Sequence, residues 1–308
     1  MKRILFPQEA RRLGIQWLPA LGVRPRGQAG AEYFRVYGKL GTHPRSVRVR
    51  KAFNLGNHVR QVANAVRFAE VLGAETVELP RGSIFRTGSV GNVRVIGQSE
   101  EPAEGTIEST FFYYERMGLT FADLDRARIL ESLRALLPPT IPRGISGPGV
   151  ALHLRAGDVF QANPHPRYGP PPLKFYLESL EMSGSDRVHV VTQSLDHPYL
   201  REIERWAQVR GVSIEVSASD LATDFEVMRS ASRLCISQGT LALAAAWLSP
   251  TCQAVYTYER EDEENAVLRE LGVRVHAASG RDFPKEWDGS SEQLRRLMSV
   301  DGRVEWSE

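Results

Sequence analysis

Two cysteines in 308 residues, Cys235 and Cys252, are too few to staple a fold. Both stand in apolar surroundings, which points to buried, reduced thiols and a cytoplasmic chain rather than a disulfide framework. Long apolar runs are missing as well. None approaches the roughly 18 residues that a membrane-spanning helix needs, so no integral membrane segment is expected. The opening MKRILFPQEARRLG has too short an apolar stretch, met too soon by charge, for a secretory leader. An excess of one charge is also absent. Lys and Arg number 39 against 37 Asp and Glu, a net charge of +2, so no overall field draws the chain to nucleic acid. Single arginines remain available to bind small anions locally.

The missing motifs narrow the chemistry further. No GxGxxG opens a strand–helix unit and no GxxxxGK[ST] occurs, so the phosphate grips of dinucleotide dehydrogenases and P-loop enzymes are lacking. No CxxC, HExxH or spaced Cys/His set marks a metal, and none is expected. The Asp-Leu-Asp at 123–125 resembles the Asp-x-Asp of metal-dependent sugar transferases. It stands where an amphipathic helix begins, and first-turn acids stabilise the helix dipole equally well.

What is present is alternation. The composition, 42% hydrophobic and 25% charged, is that of an ordinary globular chain. Residues 1–45 are rich in Arg, Gly and Pro, with one strand-like stretch at 33–37, and read as an N-terminal extension. SVRVRKAF at 46–53 alternates as a strand does. The helix-period segment NLGNHVRQVANAVRFAEVLG and the strand ETVELP follow, a βαβ order that implies a parallel sheet. The stretch PPTIPRGISGPG at 138–149 holds four prolines and three glycines and reads as a linker. Beyond it strands and helices alternate again to CQAVYTY. The expected organisation is α/β: an N-terminal lobe over 46–145, a second lobe over 146–281 and a helical tail over 282–308. A cleft would separate the lobes.

Three clusters at strand ends could carry chemistry. In VALHLRAGDVF an apolar strand ends in His153, Arg155 and Asp158 around Gly157. Open α/β sheets bind ligands at such C-terminal strand edges. Arg155 could grip a pyrophosphate through a bidentate contact, His153 could meet a base or ribose, and Asp158 could orient Arg155. The same Arg and Asp would also serve as a structural ion pair. In the second cluster, Gly56 and Asn57 stand at the turn into the first long helix, where backbone N–H groups attract anions. A plain N-cap Asn reads the same way. In the third, a strand runs into Ser237, Gly239 and Thr240 ahead of an apolar helix, with Asp224 one helix earlier. Hydroxyls and N–H groups there could cradle an anion, and the Asp224 carboxylate could read a guanine. The alternatives are an N-cap Thr and a first-turn Asp. His165, Arg167 and Tyr168, in the proline-rich loop QANPHPRYGPPP, could contact an acceptor or simply pack.

Taken together, these segments resemble the fucosyltransferase superfamily: bacterial α-1,2-fucosyltransferases, α-1,6-fucosyltransferases and protein O-fucosyltransferases. FNLGNHVRQVANAVRFAEVLG is similar to the family's opening Gly-x-Gly-Asn-Gln segment, and VALHLRAGD to its His-x-Arg-(Arg)-x-Asp motif. PPLKFYLESL is similar to the Pro-x-x-Tyr-Tyr helix, and DFEVMRSASRLCISQGTLALAAAWL to the last motif. The chain departs from the family at Ala156, where a second Arg often stands, and at Gln193 and Ser194, where acids are usual. The resemblance implies a GT-B-like fold of two Rossmann-like lobes and an inverting, metal-independent glycosyltransferase without a cofactor. It would move fucose from GDP-fucose to a glycan or other hydroxyl acceptor. It also implies that Arg155 binds the β-phosphate and that His153 and Asp224 hold the guanine. Gly239, Thr240 and the neighbouring Ser237 would bind the pyrophosphate, and Gly56 and Asn57 would face the donor. A chain that binds a nucleotide sugar or glycan without transferring it, or a transferase for another nucleotide sugar, fits the departures.

Overall fold

The computed structural model describes residues 2–5, 34–37, 44–114, 119–138, 149–161, 163–166, 168–260, 262–280 and 286–307. The chain forms two compact units, Met1–Pro139 and Thr140–Glu308, which divide in the proline- and glycine-rich stretch. Both are α/β with largely parallel sheets, the expected class. Among the described residues no helix is long and apolar enough to cross a membrane.

In the first unit the chain runs β1 (Lys2–Leu5), β2 (Phe34–Tyr37), β3 (Ser46–Val49), α1 (Leu55–Leu72) and β4 (Thr76–Leu79). It continues through β5 (Gly88–Val90), β6 (Val93–Gly97), β7 (Thr106–Ser109) and α2 (Arg126–Arg134). The sheet order is β1-β2-β7-β3-β4-β6-β5, with β7, β3, β4 and β6 parallel. Period-two alternation sorts its faces. Val47, Val49, Val77, Leu79 and Ile107 are buried on the side that α1 packs against. Ser46, Arg48, Glu78 and Thr106 point the other way and are also buried. They are tolerated there because they satisfy one another. Arg48 Nε donates to Glu78 Oε2 at 2.8 Å, and Ser46 Oγ meets Glu78 Oε1 at 2.8 Å and Thr106 Oγ1 at 2.7 Å.

The parallel strands of this unit reverse their winding between β3 and β7. Two buried amides on α1 hold the loops that leave those strands. Gln61 Nε2 donates to Lys51 O at 3.1 Å and Thr110 O at 2.7 Å, while its Oε1 accepts from Phe53 N at 2.9 Å. Asn64 Nδ2 donates to Phe111 O at 3.0 Å and Phe112 O at 3.2 Å. Phe111 takes a φ of 55°, a conformation that a side-chain-bearing residue keeps only when its surroundings enforce it.

The second unit runs β8 (Val150–Leu154), α3 (Leu173–Ser183), β9 (Arg187–Thr192), α4 (Leu200–Arg210), β10 (Ser213–Ser217) and α5 (Leu221–Ser230). Then come β11 (Arg233–Ile236), α6 (Leu241–Trp247), β12 (Ala254–Tyr258), α7 (Asp262–Glu270), β13 (Arg274–Ser279), α8 (Ser291–Met298) and β14 (Glu305–Ser307). The order β10-β9-β8-β11-β12-β13-β14 is doubly wound. It grows outward from β8 in one direction and then resumes on its other side at β11. The first six strands are parallel and β14 is antiparallel to β13. Every residue of β8 and β12 is buried, as strands covered on both faces must be.

Several details differ from the sequence reading. The tail is not only helical, since β14 completes the sheet edge. Strand β2 likewise joins residues of the N-terminal extension to the first sheet; residues 1, 6–33 and 38–43 lie outside the described residues, as do 139–148 of the linker. Cys235 is buried but Cys252 is only partly so. The 123–125 acids do lie where a helix begins, with Asp125 at the N-cap position of α2 but without a side-chain capping bond. A 3₁₀ turn at Ala122–Leu124 precedes α2, the Asp123 carboxylate accepts from Thr120 N at 2.7 Å, and Asp125 pairs with Arg128.

Replacing Gln61 with Leu strips partners from three backbone groups of the β3 and β7 loops. The expected loss in urea unfolding is about 2 kcal/mol. A loss under about 0.5 kcal/mol would show that water takes over those groups.

Candidate active site

In a doubly wound sheet the crevice lies outside the C-terminal ends of the two strands where the winding reverses. Here those strands are β8 and β11, which are hydrogen-bonded neighbours. Beyond β8 come Arg155, Gly157 and Asp158; beyond β11 come Ser237, Gln238, Gly239 and Thr240. The fold therefore joins two of the three sequence clusters at one sheet edge.

Arg155 is the centre of this edge. Its Nε and Nη2 donate to the two carboxylate oxygens of Asp158, at 3.2 and 2.6 Å. This bidentate contact orients the guanidinium and leaves Nη1 on the side of the 237–240 turn, 3.4 Å from Gln238 O. Gly239 has φ 107°, and a Cβ built on it would stand 2.6 Å from Arg155 Nη1. The arginine thus occupies the space that any other residue at 239 would fill. Gly157, at φ 68°, has the same relation to Gln193, whose Oε1 lies 2.8 Å from the Cβ it lacks. Tyr168 closes the outer side of Arg155, its ring 5.1 Å from the guanidinium carbon. His165 packs against that ring at a tilt of 38°, with 4.5 Å between the centroids.

Beneath Arg155 lies a buried imidazole. His153 Nδ1 is 2.6 Å from Ser237 Oγ, a bond that ties the end of β8 to the end of β11. Burial, then the nearby Arg155 charge, pushes the His153 pKa down to about 3. It is a neutral hydrogen-bonding group at every working pH. His197 supports the same corner, its Nε2 3.2 Å from Arg155 O and its Nδ1 accepting from Tyr199 N at 3.2 Å. Its pKa is lowered to about 4 by burial.

The remaining candidates fall as follows. Asp224 is buried in the first turn of α5, whose N-cap is Asp220. Its carboxylate accepts from Ser219 N at 3.3 Å, and burial raises its pKa. Thr240 occupies the N-cap position of α6, but its side chain makes no capping bond. That helix has only seven residues, so any anion here depends on the turn and on Arg155 more than on a long dipole. Gly56 and Asn57 belong to the first unit and lie inside the first turn of α1, not at the turn into it. The cap is Asn54, whose Oδ1 accepts from Asn57 N at 3.3 Å. Arg167 lies outside the described residues.

Sequence reasoning passed over Arg260, His197 and Trp287. Arg260 donates to Ser237 O at 2.8 Å and to Gly239 O at 3.1 Å. Trp287 Nε1 donates to Val159 O at 2.6 Å, and the ring packs against Gly169. This pins the loop that carries Tyr168. None of the three stands in a recognisable pattern; the one available signal was a Trp in a polar tail. Among the described residues no group of three His, Cys, Asp or Glu side chains is placed to hold a metal ion.

No protein-family model and no curated protein matches the chain. Among solved structures it resembles the bacterial iron-containing dodecameric glycosyltransferase TibC from enterotoxigenic E. coli H10407. Identity is 14% and the TM-score 0.40, over 74% of this chain and 62% of that one. TibC described as a heptosyltransferase in complex with ADP-D-beta-D-heptose gives 14% and 0.38, over 85% and 64%. POFUT1 in complex with GDP-fucose gives 14% and 0.38, over 70% and 98%. The chain spans less than two thirds of the TibC chains it matches. Likeness this distant says nothing of what this chain binds or transfers.

Two measurements check this geometry. Gly239→Ala has to displace Arg155 and adopt a strained φ, and is expected to lose at least about 1 kcal/mol of thermal stability; an unchanged midpoint would contradict the close approach. The His153 ring should stay neutral from pH 8 to pH 5, with no change in its NMR signals. Its folded pKa lies below the unfolded value of about 6.5. Its contribution to stability is therefore complete above that pH and is lost as pH falls towards 3. A midpoint near 6.5 would mean the ring is accessible.

Proposed function

We propose that the second unit binds the diphosphate of a nucleotide sugar where its winding reverses, and that the protein transfers the sugar with inversion to a hydroxyl acceptor. One observation carries this reading: the Arg155 guanidinium, held by Asp158, lies against the backbone of Gly239. In this reading a permanently charged guanidinium and the backbone of a glycine turn border the same small space, which suits a diphosphate.

The chemistry follows from where charge develops. Cleavage of the sugar C1–O bond builds an oxocarbenium-like centre and sends negative charge onto the departing diphosphate. In this reading Arg155 Nη1 receives that charge, together with the backbone and the Thr240 hydroxyl of the 237–240 turn. One such donor in a water-poor site contributes about 3 kcal/mol to the barrier reduction. Arg155 supplies the neutralisation that a metal ion supplies in other transferases. With an early departing group the acceptor hydroxyl gives up its proton late, so the site needs no strong base.

The donor is proposed to be GDP-fucose, on the strength of the family resemblance. In this reading the buried Asp224 accepts from the guanine N1–H and amino group, and the neutral His153 supplies a further hydrogen bond to the nucleoside. In this reading Tyr168, which lies against Arg155, and His165 beside it contact the acceptor glycan. A second reading, binding without transfer, has one observation in its favour. Asp158 already occupies two of the three nitrogens of Arg155, and Ala156 adds no second guanidinium to take their place.

Titration calorimetry with GDP, UDP, ADP and CMP separates these readings. GDP is expected to bind at least about tenfold more tightly than UDP, and Asp224→Asn to remove that preference. A preference for UDP would sink the guanine assignment. Labelled GDP-fucose then decides between transfer and mere binding. Transfer to a glycan acceptor should proceed unchanged in EDTA; activity lost in EDTA and restored by a divalent ion would contradict the role given to Arg155.

A further inference from the structure

Arg260 follows β12 in a segment with no motif, yet its side chain turns back to the edge between β8 and β11. Nη2 donates to Ser237 O at 2.8 Å and to Gly239 O at 3.1 Å. Nη1 pairs with Glu264 Oε2 at 2.6 Å, and the side chains are only 6% and 11% exposed. A buried guanidinium that spends its donors on two carbonyls of a neighbouring turn is an unusual use of charge. Surface packing does not require it, and burying the pair is a desolvation expense that a hydrophobic pair would avoid.

The backbone beside it is strained in the same cause. Glu259 has φ 43°, a left-handed conformation for a residue with a side chain. It is held there by Glu259 N donating to Ala278 O at 2.8 Å and by Gly280 N donating to Glu259 Oε1 at 3.4 Å. That reversal is what sends Arg260 towards the 237–240 turn instead of along the strand. The turn is tied to β12 a second time, through Gln238 Nε2 donating to Tyr258 O at 3.1 Å. Strain kept in place by surrounding bonds collects at functional positions.

We propose that Arg260 is a positioning residue for the anion site: by clamping the carbonyls of residues 237 and 239 it sets Gly239 against Arg155 and Ser237 Oγ against His153. Sequence distance hides this, because the clamp comes from the strand after the turn it holds. The inference rests on reading this edge as a diphosphate site. It assigns Arg260 no contact with substrate. Its role is geometric, and the fork matters more than the charge, because a lysine ammonium cannot present two parallel donors in a fixed plane.

The test uses the full chain and two variants. Arg260→Met with Glu264→Leu removes the buried pair together and leaves no lone charge, and Arg260→Lys keeps the charge but loses the fork. Both are expected to fold and to weaken GDP binding by about tenfold or more, while guanosine, followed by NMR titration, keeps its Asp224 contact and loses clearly less, no more than about threefold. GDP affinity equal to wild type in both variants would overturn the proposal. So would an equal loss for guanosine, which would mark Arg260 as merely structural. The His153 ring nitrogens give a readout that needs no ligand. Their signals, set by the bond to Ser237, are expected to shift in both variants while those of His58 and His189 do not. If wild type binds no nucleoside diphosphate, the proposed function fails. The His153 signals then decide the clamp alone: shifted signals keep it, and signals coincident with wild type overturn it.

Discussion

The second unit is organised around a guanidinium that lies where a side chain at position 239 would have to be. Arg155 can reach Gly239 only because that residue lacks a Cβ and tolerates a φ of 107°, and because β8 and β11 are neighbours at the winding reversal. Asp158 then sets the plane of the fork, Tyr168 closes it from outside, and the His153–Ser237 bond locks the two strand ends beneath it. Asp158 and Tyr168 hold the guanidinium in that approach, while the His153–Ser237 bond joins the two strand ends that bring Arg155 and the turn together.

The surrounding core makes the arrangement rigid. β8 and β12 are buried throughout, so the strand ends have little freedom to move. The histidines near the edge are kept neutral by burial, with pKa values of about 3 for His153 and about 4 for His197. The positive charge there therefore belongs to the two arginines at any physiological pH. Both arginines carry carboxylate partners, Asp158 and Glu264. The edge is close to neutral overall, and its attraction for an anion is local and directional. The first unit uses a different device. Its loops at the winding reversal are held by the amides of Gln61 and Asn64, which bond to backbone without adding charge.

Much of this was legible in the sequence for simple reasons. A strand buried on both faces must be apolar throughout, so the abrupt change from VALHL to Arg155, Gly157 and Asp158 marks a sheet edge. Small residues after RLCI mark the facing turn. What could not be read depends on direction in space. Asn57 looked like a cap, but Asn54, three residues earlier, has the geometry to accept from its N–H. The apolar run TLALAAAWLS suggested a longer helix than the seven residues of α6, because composition does not say where helical backbone stops. β14 is three residues long, too short for any periodicity. Arg260 looks like one of several charges in YERED, and only the left-handed Glu259 gives it a destination.

The central claim is that Arg155 and the 237–240 turn together form a diphosphate site. Calorimetry of GDP binding to the wild-type chain and to Arg155→Ala tests it most directly. The account predicts saturable wild-type binding that falls by about a hundredfold or more in the variant, the loss of the charge-assisted contact from Arg155 Nη1. Equal affinity in both proteins, or no binding to either, would mean that Arg155 and Asp158 form a structural ion pair and that the diphosphate site lies elsewhere or does not exist.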